Sequence, residues 1–421
     1  VIATIDKYFG GWKSNPNLSR PEYAPVPTLT APTDTTVIGQ EAENVMLGWK
    51  FDRAASLQQD TLNVIAEMLS NGKAGLFDLN LDQKMQYLGG AAFVYPLAEY
   101  SSLIVEGLPK EGQTLEQVRD LMLGEIEKLK RGEFSDDLLP SVINNMKLDA
   151  YKEMEDNDSR ANKFVDAFIN GQEWSDVVGR LDRISHITKQ QIVDFANRHL
   201  LNNYVAVYKR QGVDSTVKKI DKPQITPIPS NRDKQSAYVA EIANAKAEPI
   251  QPVFVDFKRD ITFGKTKKGL PVQYIKNNTN GLFALQFTFN FGIEADKRLN
   301  TAAGYLDYLG TDKMTADQLK QQFYKLACTY SVSASRNKTT ITLSGLDENK
   351  VEALKLMEQF LANAKADADA WKQFVALEKK AREMNKLNQN ANFSALYSYG
   401  IYGPYNPYRN KMTAQELDNA N

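Results

Sequence analysis

Two histidines stand in the chain, His186 and His199. A hydrolytic zinc centre takes about three protein ligands from His, Glu, Asp or Cys and leaves one position open for water. Two histidines serve one metal when a helix presents them at i and i+4. His186 and His199 are thirteen residues apart, one just before an expected helix and one near its end, so they form no local ligand pair. A cation in the last turn of a helix complements the helix dipole, and that is the role the position of His199 offers. The single cysteine, Cys328, lies on an apolar periodic segment and reads as a small buried side chain, and no intrachain disulfide is possible. There is no Gly-x-Ser-x-Gly elbow, no Gly-x-Gly-x-x-Gly fingerprint and no phosphate loop. Gly89-Gly90 precedes a strand and points to a bulge or a close backbone approach. The acidic run from Glu153 to Asp158 lacks the spacing of a twelve-residue calcium loop and reads as a solvated helix end. Lys379, Lys380 and Arg382 read as the charged face of a helix.

These residues must be carried by more than one core, because 421 residues exceed the roughly 100–200 of a single domain. The chain is 42% hydrophobic and 24% charged, an ordinary globular balance. With 51 Lys+Arg against 52 Asp+Glu, nothing points to capture of nucleic acid or of an acidic membrane. No run of 18 apolar residues exists to span a bilayer.

Val1 to Trp12 places Ile2, Ile5 and Phe9 on one helical face and stops at Gly10-Gly11; with nothing before it to pack against, it reads as the last helix of an upstream domain. Ser14 to Pro32 is a Pro-rich linker. A domain is expected over 35–210. It opens with a strand over Thr35–Phe51, then a helix over Leu57–Leu69 and two strands within Ala91–Leu108. A strongly amphipathic helix follows over Leu115–Lys130, then another started by the Ser135-Asp-Asp cap. Helices over Arg160–Asn170 and Thr188–Leu200 and a strand over Asn203–Lys209 close it. Residues 211–253, with Pro223, Pro227, Pro229, Pro249 and Pro252, are too long for an ordinary loop and read as an interdomain hinge with a helical patch at Tyr238–Ala245. A second domain over 254–421 repeats the logic. Its expected strands are Ile261–Lys265, Val272–Ile275 after a Gly269 turn, Leu282–Phe291, and a pair within Tyr330–Ser344; the helix Lys350–Ala362 follows. Ile187-Thr-Lys-Gln-Gln-Ile192 and Met412-Thr-Ala-Gln-Glu-Leu417 look like the same helix start in two copies, which would leave the second domain without its closing helix and strand and its sheet with an open edge.

The segment Phe287–Thr311, FTFNFGIEADKRLNTAAGYLDYLGT, alternates apolar and polar residues, passes a Gly, and turns into a helical pattern ending in Gly-Thr. It resembles the strand-to-helix unit of insulinase/pitrilysin-type (inverzincin) zinc metallopeptidases, where the helix carries His-x-x-Glu-His about ten residues before Gly-Thr. The likeness extends in order through Tyr8-Phe9-Gly10, the Pro-rich linker, Asn203–Lys209 (NYVAVYK), the Pro-broken connector, and the segments PVFVDF and GLPVQYIKNN. The resemblance implies four homologous α+β domains in two halves around a chamber that cleaves short unfolded peptides. The zinc motif belongs to the first domain, and an Arg and Tyr seven residues apart, which assist the substrate carbonyl, belong to the fourth. In that frame this chain is an internal fragment covering the second domain and much of the third. Counting back from Gly310, the zinc-motif positions hold Thr301, Gly304 and Tyr305, which cannot bind zinc as a triad. Within Leu76–Gly89, Asp82 or Leu81 stands near the Arg position and Leu88 or Gly89 near the Tyr position, so that pair is absent as well.

The fold expected is therefore α+β: two homologous domains, each a mainly antiparallel sheet with helices packed on one face, joined by a long hinge. Residues 1–34 are the tail of an upstream domain plus linker, and 254–421 form a truncated second copy without zinc motif. The resemblance implies no catalytic residue and no metal in this chain, with zinc in an upstream domain of a parent metalloendopeptidase. This segment would be chamber wall and hinge, and its partners would be peptide substrates and the other domains of the same polypeptide, with no nucleic acid. The alternative is a non-catalytic peptide-binding or scaffolding member of the same fold, and a third reading is an unrelated two-domain α+β binding protein. A single cysteine suits the bacterial cytoplasm and periplasm equally.

Overall fold

A computed structural model describes every residue except Val1, Arg20, Glu22, Lys219, Pro229, Asn231, Asp233, Ala247, Glu248, Ile250 and Asn421; Pro229 of the connector and the two chain ends that the sequence reading used therefore lie outside the described residues. The architecture is mixed α/β with antiparallel-rich sheets. Helix α1 (Ile2–Phe9) is amphipathic but buries nothing, and an extended stretch leads from it to the first sheet.

That sheet has the order β1-β5-β2-β4-β3. Its strands are β1 (Thr33–Gly39), β2 (Asn44–Phe51), β3 (Gly89–Pro96), β4 (Ser101–Leu108) and β5 (Val205–Gln211). The single strand expected over Thr35–Phe51 is in fact two, lying on opposite sides of β5. β1 runs parallel to β5, with Thr33 opposite Val205, and β2 runs antiparallel to it, with Val45 opposite Tyr208. The break falls in the polar run Gln40–Glu43, where the Lys209 ammonium takes the carbonyls of Glu41 and Ala42 out of the ladder. Along β2, Val45, Leu47, Trp49 and Phe51 are buried while the residues between them are not, the period-2 pattern of a sheet with one core face. Helix α2 (Gln58–Leu69) and helix α3 (Leu115–Lys130) cover that face. α3 buries Leu115, Val118, Met122, Ile126 and Leu129, one stripe at helical spacing. It approaches so closely that a Cβ on Gly107 of β4 would lie 2.5 Å from Val118 Cγ1 and 3.0 Å from Met122 Sδ. Gly90 meets the close-approach expectation in the same way: a Cβ there would sit 2.6 Å from the Tyr87 ring and from the Glu106 carbonyl, and the β3–β4 register runs on without a bulge.

Helix α4 (Leu138–Glu153) starts at Asp137 without a side-chain cap, so the expected Ser135 cap is a turn outside the helix, where Ser135 Oγ accepts from the Asp137 amide at 3.2 Å. α5 (Asn157–Asn170) is capped by Asp156 and ends on left-handed Gly171. α6 (Trp174–Ser185) was not anticipated. α7 (Lys189–His199) opens on a capping box in which Thr188 and Gln191 satisfy each other's backbone N–H groups. Phe51 stacks on Phe195 of α7 at 5.9 Å, and Trp49 Nε1 donates to the Leu201 carbonyl at 2.9 Å, which closes the core.

The connector holds α8 (Ala237–Asn244) and leads to the short α9 (Phe257–Asp260). β6 (Thr262–Lys265) and β7 (Pro271–Tyr274) turn at Gly269, whose φ is +84°. They do not join the second sheet, as the sequence reading expected, but form a separate ribbon exposed on every residue. Four-residue strands carry too few apolar positions to hold a face against a core. The second sheet contains β8 (Leu282–Phe289), β9 (Cys328–Ala334) and β10 (Thr339–Leu346), ordered β8-β10-β9 and antiparallel throughout. Between β8 and β9 lie α10 (Arg298–Leu306) and α11 (Ala316–Lys325). After β10 come α12 (Lys350–Asn363), α13 (Ala368–Leu387), α14 (Gln389–Tyr402) and α15 (Ala414–Asp418). The order β8-β10-β9 reproduces β2-β4-β3, and Gly345 opposes Phe283 as Gly107 opposes Val45. The paired helix starts at Thr188 and Thr413 are both capping boxes, but Thr114 at α3 and Thr315 at α11 open with the same box, so the motif marks helix starts in general.

Candidate functional site

Thr301, Gly304 and Tyr305 all sit on α10, and Gly304 and Tyr305 meet α13. Thr301 is buried. A Cβ on Gly304 would touch the Phe374 ring at 3.5 Å. Tyr305 packs edge-on against Trp371 at 4.9 Å; its hydroxyl donates to the Asp367 carbonyl at 2.6 Å and accepts from the Asp367 amide at 3.0 Å. Two of the positions that a metal motif would occupy are thus joints between two helices, and a hydroxyl, a hydrogen and a phenol offer no ligand set for zinc. Among the described residues no group of three or more His, Cys, Asp or Glu side chains could hold a metal ion.

The second segment singled out, Leu76–Gly89, contains a π-helical turn over Asp78–Asp82. The Asp78 carboxylate organises it, accepting from the amides of Asn71 at 2.9 Å, Lys73 at 3.1 Å and Gly75 at 2.8 Å, and from Ser70 Oγ at 3.2 Å. Leu81 is core, and Leu88 and Gly89 lead into β3. Asp82 lies close to Asp78 in a half-buried place, and burial first, then the Asp78 charge, push its carboxyl up to about 7. Glu67 of α2 is pushed up to about 7 as well, by burial and then by Asp149 and Asp78, with Arg180 opposing. Tyr324 of α11 enters this neighbourhood from the other sheet unit: its ring belongs to the first core, its hydroxyl has no partner, and burial raises its pKa. Sequence reading did not find this cluster. Glu67 looks like any polar residue of an amphipathic helix, and Tyr324 is more than 250 residues away along the chain.

The remaining candidates are structural. His186 Nδ1 lies 2.8 Å from the Asp182 carbonyl at the end of α6. His199 closes α7, about 16 Å of helix further on. Its ring packs on Phe195 at 4.5 Å and Phe51 at 5.8 Å, and burial, then Arg198, lower its pKa. That corrects the expected dipole role, because the environment disfavours the cation. Burial pushes the Cys328 thiol up to about 11, so little nucleophilic thiolate forms near neutral pH. In the acidic run, Asp156 caps α5 and Glu153 pairs with Lys163 at 2.7 Å. Lys379, Lys380 and Arg382 pair with Asp418 at 2.5 Å, Glu111 at 3.2 Å and Glu378 at 2.7 Å.

With that geometry in view, residues 1–146 match the family described as the Peptidase M16 inactive domain. No curated protein matches the chain. Among solved structures, a protease from Helicobacter pylori is 19% identical with a TM-score of 0.47, over 50% of this chain and 52% of that one. The periplasmic protease PqqL from Escherichia coli is 14% identical with a TM-score of 0.39, over 99% and 49% of the two chains. Pitrilysin is 12% identical with a TM-score of 0.45, over 84% and 39%. The chain spans about half the length of the first of these structures. The match over residues 1–146 makes that part of the chain similar to the inactive-domain kind of the insulinase/pitrilysin-type, or M16, peptidase family.

Proposed function

We propose that the chain is a non-catalytic middle segment of a zinc metalloendopeptidase that hydrolyses oligopeptides within a two-half chamber. In this reading the two sheet units are homologous domains, their surfaces form chamber wall, and residues 211–253 are the hinge about which the halves open, a gating step of the lid type. The observation that carries it is the inactive-domain match together with the use of Thr301, Gly304 and Tyr305 as packing residues. Zinc and its ligands then belong to another part of the parent polypeptide, since the positions on α10 do not fit a metal.

The test has two arms. This chain alone, supplied with zinc, is expected to leave a fluorogenic oligopeptide intact. A longer polypeptide that contains it is expected to retain stoichiometric zinc on dialysis and to cleave the same peptide. A longer polypeptide that binds no zinc and cleaves no peptide sinks the reading and favours a scaffold.

A further inference from the structure

We propose that the free edge of β8 is a docking site for one extended polypeptide strand, antiparallel to β8, whose inward side chains read aromatic, small, aromatic. The site belongs to the sheet of the second unit and does not depend on a chamber or on zinc.

The backbone sets the site. The Asp347 amide donates to the Gly281 carbonyl at 2.9 Å, and bonding directions alternate along an antiparallel ladder. Phe283, Leu285, Phe287 and Phe289 therefore bond to β10, and the residues between them face away. Leu282, the first of those, is closed off: Asn277 Nδ2 donates to its carbonyl at 2.9 Å, and its amide donates to Asn280 Oδ1 at 3.4 Å. Ala284, Gln286 and Thr288 are exposed, and among the described residues their outward N–H and C=O groups meet no partner. The strand LFALQFTF holds no proline and no charge, and its register against β10 runs without a bulge, so none of the usual devices against strand pairing blunts this edge. The apolar face beside it is open as well, since Phe287, Phe289 and Phe291 are exposed.

The first unit shows what such an edge holds. With Phe283 in the place of Val45, the edge of β8 corresponds to the edge of β2 that β5 fills. β9 corresponds to β3, and both are outer strands, so the difference between the units is confined to β8. β5 and the residue before it bring three buried side chains over the core: Tyr204 lies against Trp49 at 5.2 Å, Ala206 stands opposite Leu47, and Tyr208 stands opposite Val45. The matching positions in the second unit are Phe287, Leu285 and Phe283. A strand seated there sets an aromatic against Phe287, a small side chain against Leu285 and an aromatic against Phe283. β1 reaches its sheet only through β5. β7, the last strand before β8 as β1 is the last before β2, stands with β6 outside the second sheet and exposed on every residue. One incoming strand thus accounts for the open edge, the uncovered phenylalanines and the separate ribbon, because it gives β7 the neighbour that β5 gives β1. In strand addition of this kind backbone bonds supply affinity, and the alternate side-chain pockets supply selectivity.

The probe is a synthetic peptide with the sequence of residues 201–211, LNNYVAVYKRQ, carrying a fluorophore and titrated with the intact chain. Anisotropy should report saturable binding at one site per chain. Amide hydrogen exchange should slow across 282–289 while 44–51 stays unchanged, which separates docking on β8 from displacement of β5. Gln286→Pro removes an amide that bonds nothing in β10, so the ladder survives, as circular dichroism checks, and binding should weaken about tenfold or more. If that variant unfolds, the exchange pattern of the wild type decides by itself. A peptide carrying Tyr204→Ser and Tyr208→Ser should bind more weakly to a similar extent. Lack of saturable binding at millimolar peptide, or protection that arises elsewhere in the chain, overturns the proposal. So does self-association of the chain that Gln286→Pro abolishes, because the edge then belongs to a second copy.

Discussion

Tyr305 shows how one side chain can hold a structural place that, in the related pattern, carries chemistry. Its phenol bridges both backbone groups of Asp367 and braces α10 against α13. Tyr305→Phe should cost about 1 kcal/mol in denaturant unfolding, the ordinary net worth of such bonds. Rebuilding the motif with Thr301→His, Gly304→Glu and Tyr305→His should not create a stoichiometric zinc site, because Gly304 and Tyr305 are packed against Phe374 and Trp371 rather than open to a metal. Metal analysis after dialysis checks this, and the buried Thr301 makes the variant less stable as well. His199 offers a pH test at the same scale. Burial and Arg198 lower its pKa, so its ring resonances should titrate with a midpoint below the usual 6.5. The neutral ring is the form the fold favours, so this histidine contributes stability above its usual pKa that is lost as pH falls through the lowered one.

At the scale of elements, the capped amphipathic helices α3 and α7 were legible, while α6 and the strand partners were not. The expected Leu115–Lys130 helix matches α3 to the residue, because an apolar stripe at 3.6 spacing and a Thr114–Gln117 capping box both mark it locally. Thr188→Ala should lower stability by about 1 kcal/mol through loss of the α7 cap, read as a fall in thermal midpoint. Gly107→Ala should cost about 1–3 kcal/mol, since the new methyl enters Val118 and Met122. By contrast, the split of Thr35–Phe51 into β1 and β2 depends on Lys209, more than 160 residues on, and no local pattern announces it. The exile of β6 and β7 from the second sheet is likewise decided by which edge finds a partner. The register SSLIVEGL over 101–108 against TTITLSGL over 339–346 also gains its meaning only in space. Trp49 and Phe51 are covered by α7 and the loop after it, whereas Phe287 and Phe289, at the matching ladder positions, are about 40% exposed.

For the molecule as a whole, the described residues of the connector are mostly exposed and offer sites for proteolysis. Brief trypsin treatment should cut at Lys218, Arg232 or Lys234, giving two large fragments that gel electrophoresis resolves before either sheet unit is degraded.

The sequence by itself determined the family resemblance, the mixed α/β character, the main helices, and the lack of metal ligands at Thr301, Gly304 and Tyr305. Those properties follow from residue identity and from spacings of a few residues, which a one-dimensional pattern preserves. Only the tertiary structure decided that Thr301 is buried and that Gly304 and Tyr305 pack α10 against α13, that Glu67 and Asp82 sit in half-buried places beside other acids, and that Tyr324 crosses from one unit into the core of the other. The physical reason is that burial and charge proximity depend on neighbours brought together from distant parts of the chain, and a carboxyl or a phenol has the same one-letter code in water as in a core.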